Sequence, residues 1–176
     1  MGVSWTAEGE LAPGATWELA LSNSWVAALV EVVVVDLDRT IEAYHVAADA
    51  FAKGDPEPVK ALWSRRDDVT LANPFGPAVR GWTRVSEALD YASSRFRDGE
   101  MNDVDRLATY AATDLLTMLE REQWKAKLGD GDDVSAFELR VTSTFRLEDE
   151  GWKLVHRHAD PIATSDPRGP LRSSSG

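Results

Sequence analysis

An α+β fold is predicted by three features of the 176-residue sequence. Apolar residues recur at helical spacing in three segments of its first half. They alternate with period two through four long segments of its second half. Between the second and third helical segments lies a short stretch, broken by Pro and Gly, that reads as strand, turn and strand. Helices gathered ahead of a run of antiparallel strands pack on one face of the sheet those strands form.

Each element has its own justification. In DLDRTIEAYHVAADAFAKGD, Ile41, Tyr44, Ala48 and Phe51 share a helical stripe, and Gly54 supplies the stop. Asp55 caps a second, short helix with Pro56 in its first turn and Val59, Leu62 and Trp63 on its apolar face. DDVTLANPFGPAVRGW gives the strand, the Pro/Gly turn and a second extended piece. Thr83 starts a third helix whose stripe is Val85, Ala88, Leu89, Ala92 and Phe96. After the loop DGEMND, four strands follow: VDRLATYAAT, DLLTMLEREQWKAKL, VSAFELRVTSTFRLED and GWKLVHRHADP, with LGDGDD and EDEG as turns. Residues 37–162 thus form the domain. Residues 1–36 are an N-terminal extension of uncertain order, in which ATWELALSNSW reads as a hairpin and VAALVEVVVV as a strand. Residues 163–176, rich in Pro, Gly and Ser, read as a flexible tail.

Composition narrows the function classes. With no cysteine, disulfides, thiolate nucleophiles and thiolate metal sites are excluded. Nineteen basic against 30 acidic residues gives a net charge of −11, and no basic patch offsets it, so nucleic acid and anionic membrane are not expected partners. No Lys or Arg precedes Arg39, so the apolar run before it lacks the positive flank of a secretory signal and is too short to span a bilayer. A cytoplasmic location is expected.

Strand alternation points to an interior. In the third long strand, Phe137, Leu139, Val141, Ser143, Phe145 and Leu147 share one face. In the last, strict alternation groups Trp152, Leu154, His156, His158 and Asp160, and the first two mark that row as inward. Three readings of the histidines compete: a metal site, a general acid/base, and hydrogen-bonded neutral imidazoles lining a pocket. No third strand histidine supports a metal, and none is assigned. Glu120 has no decided face; if inward, it needs a partner, and a histidine could serve.

The order of elements, the segment LANPFGPAVRGW and the ending ELRVTSTFRLEDEGWKLVHRHADP resemble the nuclear transport factor 2-like superfamily, in particular its SnoaL-like, ketosteroid isomerase-related members. The resemblance implies a cone-shaped, cystatin-like roll in which a strongly curved, mostly antiparallel sheet wraps the helices. It also implies a homodimer through the outer sheet face, here Arg140, Thr142, Thr144, Arg146 and Arg157. The aspartate base of the ketosteroid isomerases is replaced by Asn73, their tyrosine position falls near Ala47 and their acid maps to Ser143. That isomerase mechanism is therefore not expected. What remains is a cavity for a small, largely apolar, oxygen-bearing ligand. Tyr44, Trp63, Phe75, Glu120, Val141, Ser143 and His156 would line it, and no cofactor is implied. If the site is catalytic, of isomerase, cyclase or hydrolase type, His158 would transfer the proton, Asp160 or Glu120 would orient it, and Asn73 with Ser143 would bind oxygen. The alternative is a non-catalytic association module whose cavity is filled by its own side chains, and residues of the type of Trp63 and Phe75 are more often core than ligand platform.

Overall fold

The computed structural model describes the backbone of residues 24–162 and the side chains of 37–162. By internal contacts the chain divides into Met1–Asp38 and Arg39–Gly176. In the first unit the described backbone is helical from Ser24 onward, the start of α1 (Ser24–Ala52). The strand expected at residues 26–35 is therefore a helix. Strand preference depends on a ladder to join, whereas a helix closes its backbone bonds within the segment and extends the turns begun beside it. The expected hairpin and the C-terminal tail lie outside the described residues.

The second unit follows the predicted order. Asp55 Oδ1 accepts the Glu57 amide at 3.0 Å ahead of α2 (Glu57–Ala61). β1 (Thr70–Ala72) and β2 (Val79–Arg80) form the short antiparallel pair. α3 (Trp82–Ser93) buries Val85, Leu89 and Ala92. The long strands are β3 (Phe96–Ala111), β4 (Leu115–Leu128), β5 (Val134–Glu148) and β6 (Gly151–Pro161). They make one sheet of order β2-β1-β6-β5-β4-β3, antiparallel except where β1 runs parallel to β6. The unit is α+β, as expected.

β3 begins earlier than the sequence pattern indicates, because Phe96 opens the strand and does not close the α3 stripe. The DGEMND stretch is strand interrupted by register shifts, with Asp98 at positive φ. Gly99 is required there: a Cβ would lie 2.6 Å from the Ala126 Cβ and 2.7 Å from the Ala52 carbonyl. Behind it Phe96, Trp124 and Phe137 stack at 5.9–6.3 Å between ring centroids. Ala48 and Ala52 of α1 pack with Trp124, Leu139, Val141 and Ala159, which joins the helix to the sheet by small-against-large contacts.

β5 alternates as predicted, with Leu139, Val141, Ser143 and Phe145 buried. β6 does not. The ladder pairs Thr144 with His156 but Phe145 with Leu154, so Val155 is an extra residue in a β-bulge. One extra residue inverts every side chain beyond it. Trp152 and Leu154 face inward, and after the bulge Arg157 and Ala159 take that face. His156, His158 and Asp160 are consequently on the opposite face, beside Thr142 and Thr144, not in the interior row expected of them. Arg157, expected on the outer surface with Arg140, Thr142 and Thr144, is an interior residue. No helix among the described residues is long and apolar enough to cross a membrane.

Candidate functional site

The interior face of β4 carries Leu116, Met118, Glu120, Glu122 and Trp124, all buried. Two carboxylates in such a row each demand a cation, since an unpaired buried charge is prohibitive. Glu120 is met by His45 Nε2 at 3.3 Å and Arg106 Nε at 3.0 Å. A histidine does serve it, but one from α1 and not from β6. Burial opposes the Glu120 charge, yet the His45 and Arg106 bonds outweigh it and hold its pKa below the ordinary value.

Glu122 Oε2 accepts Arg157 Nη2 at 2.6 Å and Trp124 Nε1 at 2.9 Å. Arg157 Nε donates in turn to the Tyr44 hydroxyl at 2.5 Å. Burial works against the Arg157 charge, but Glu122 and Tyr44 more than compensate and raise its pKa. Burial pushes the Tyr44 phenol up to about 12 against the pull of Arg157, so the hydroxyl keeps its proton. The phenol oxygen accepts from Arg157, and the Ser143 hydroxyl is its other hydrogen-bond partner. Glu122 Oε1, buried beside this cluster, has no hydrogen-bond partner.

A cavity of about 60 Å³ opens on Tyr44 and Arg157. Its other walls are almost wholly apolar, including Phe51, Leu71, Phe75 and Phe96, with Asn73 beside Pro74 at the turn. Asn73 Oδ1 is engaged by the Phe75 amide at 2.9 Å, an Asx turn that directs the amide nitrogen as the remaining donor.

Of the residues singled out from sequence, Tyr44, Asn73 and Phe75 come together around this cavity. Trp63 is buried but lines a separate cleft of about 480 Å³ with Arg66, Glu148 and Lys153. Val141 is in the core, and Ser143 is buried near Tyr44 without lining the cavity. His156 bonds Thr70 Oγ1 through Nδ1 at 2.8 Å, and burial followed by the His158 charge lowers its pKa. His158 pairs with Asp160 at 3.2 Å, with half of its side chain in solvent. Among the described residues, no three His, Asp or Glu side chains converge as metal ligands. Arg157, Glu122, Trp124 and His45 were missed. The inward parity of Leu116, Met118 and Trp124 on β4 carries the signal, because it places two glutamates inside and so requires inward cations.

The profile of the SnoaL-like domain family matches residues 40–164. No curated protein sequence matches the chain. Solved structures with the same fold include a candidate dehydratase of the NTF2-like family from Streptomyces avermitilis, with TM-score 0.63 and 20% identity over 76% of this chain and 99% of that one. A ketosteroid isomerase-like protein from Erwinia carotovora atroseptica superposes with TM-score 0.59 and 16% identity, covering 72% and 94%. A candidate calcium/calmodulin-dependent protein kinase type II association domain from Thiobacillus denitrificans gives TM-score 0.57 and 20% identity, covering 72% and 94%. At these identities the likeness establishes the fold alone.

Proposed function

This chain belongs to the SnoaL-like domain family, and from that premise we propose that it binds a small, largely apolar, oxygen-bearing molecule in the cavity beside Tyr44 and Arg157. The observation that carries this reading is a buried tyrosine–arginine pair at the wall of an otherwise apolar cavity. A cavity of about 60 Å³ is well below the roughly 300–1,000 Å³ of drug-sized sites, so the ligand is small. No carboxylate or imidazole is among the side chains lining it. Binding, not proton abstraction, is the chemistry those residues support.

Thermal-shift measurements across ketones, esters, lactones and acids of two to eight carbons test the reading. A true ligand at a hundred times its dissociation constant stabilises the native state by about 2.7 kcal/mol. The expected result is a shift that shrinks in Tyr44→Phe. Shifts identical in the variant, or none from any compound, reject the cavity as a binding site.

The cavity's small size favours a second reading, association of two copies through the outer face of β5 and β6. That face presents Arg140, Thr142, Thr144, His156 and His158. Sedimentation equilibrium decides it: a monomer at 100 times the working concentration of the binding assay eliminates this reading.

A further inference from the structure

We propose that the molecule held in this cavity is a short-chain organic acid, bound through its carboxylate by Arg157, which Tyr44 positions. The inference rests on the cavity-binding reading above and narrows it to one chemical class.

Among the described residues, four side chains with polar atoms line the cavity: Tyr44, Asn73, Trp124 and Arg157. The Trp124 N–H is committed to Glu122. Asn73 has its oxygen engaged by the Phe75 amide and retains its NH₂ group. The Tyr44 hydroxyl is committed to Arg157 and Ser143. Arg157 commits Nε to Tyr44 and one Nη2 hydrogen to Glu122, and no described residue accepts from Nη1. Every uncommitted polar group is thus a donor, and one belongs to a guanidinium.

A carboxylate is the functional group complementary to that set. It accepts without donating, it is planar, and it matches a guanidinium fork. An alcohol or primary amide would enter with its own O–H or N–H facing no acceptor, a buried unmade bond. Glu122 does not pre-empt the role, because five N–H groups allow one guanidinium to serve two carboxylates. The size of the site fixes the rest of the molecule. About 60 Å³, at about 10–15 Å³ for each water-sized position, admits the bulk of about four to six waters. That suits a branched or linear chain of a few carbons against Phe51, Leu71, Phe75 and Phe96.

Calorimetric titration with 3-methylbutanoate, 3-methylbutanamide and 3-methylbutan-1-ol at pH 7 tests the assignment on the full chain. The three probes share a body and differ in the polar end. The acid is expected to bind at least about tenfold more tightly than the amide or the alcohol. Arg157→Lys keeps a cation beside Glu122 but loses the fork, and is expected to abolish that preference; Tyr44→Phe is expected to reduce it several-fold. Should Arg157→Lys fail to fold, Tyr44→Phe decides alone. An amide or alcohol that binds as well as the acid overturns the assignment while leaving the cavity reading intact. Acid affinity unchanged in both variants overturns it too, since the acid then sits elsewhere. If none of the three binds, the assignment falls, and the cavity reading stands only if some other compound's thermal shift depends on Tyr44.

Discussion

Glu120 and Glu122 are two residues apart on β4, share a face and are both sealed from solvent, yet they are set in different surroundings. The partners of Glu120 come from the margin, with 22% of the His45 side chain and 38% of the Arg106 side chain exposed. The main partner of Glu122 is itself interior, with Arg157 only 12% exposed, and both Arg157 and Trp124 line the cavity. One carboxylate ties helix and strands together near water. The other aims two donors and keeps a free oxygen. The exposure of the partners, more than the burial of the carboxylate, separates a tether from a piece of a site.

The sharpest way to break this comparison is to remove each carboxylate. Glu122→Ala leaves Arg157 as an uncompensated interior charge and should cost about 3–5 kcal/mol in urea denaturation. Glu120→Ala should cost roughly half as much, since water already reaches both of its partners. Equal losses would mean that the distinction carries no energetic weight. A smaller change sharpens the Glu122 side alone: Tyr44→Phe should cost about 1.5 kcal/mol, the low end for a bond to a charged group such as Arg157.

Acid sensitivity separates the inner cluster from the outer face. Glu120 has a folded pKa below its unfolded one, so its contribution is complete above about pH 4.3 and is lost as pH falls further. His156 also has a lowered folded pKa, so its contribution is complete above about pH 6.5 and is lost below it. Melting temperature against pH should therefore fall in two stages on acidification. Glu120→Gln should shrink the lower stage, to which Asp68 and Glu148 also contribute, and His156→Gln should remove the upper; a single stage unaffected by His156→Gln would contradict the assignment. The smallest effect is expected outside. His158→Ala, which breaks a half-exposed pair with Asp160, should change stability by no more than about 0.5 kcal/mol. A loss above 2 kcal/mol would show that this face is covered in solution.

The fold was legible because periodicity is set by burial. The helical stripe of Val85, Leu89 and Ala92 and the alternation from Leu139 to Phe145 both come from one side of each element meeting the core. The side-chain turns at Asp55, which precedes the Pro56 cap of α2 and does not itself cap it, and at Asn73 were legible because their chemistry is local. The site was legible only in part. Tyr44, Asn73 and Phe75 do line one cavity, but the last strand was read by strict alternation, and Val155 breaks it. Nothing local in GWKLVHRHADP marks the bulge, because what selects it is the fit of β6 between β5 and β1. The segment before Asp38 was misread for a related reason. A valine-rich run favours a strand only where a ladder receives it, and whether one exists is a property of the whole fold.

Because Val155 stands out of register, the end of this strand encodes two different interiors. In the register observed, guanidinium and methyl groups from Arg157 and Ala159 face inward. Without the extra residue, the same stretch would present imidazole, imidazole and carboxylate. A homologous chain could exchange one chemistry for the other by gaining or losing a single codon upstream of His156, with every side chain in the stretch unchanged. Between such relatives the identity of each position would be the wrong thing to compare. The length of the strand would tell them apart.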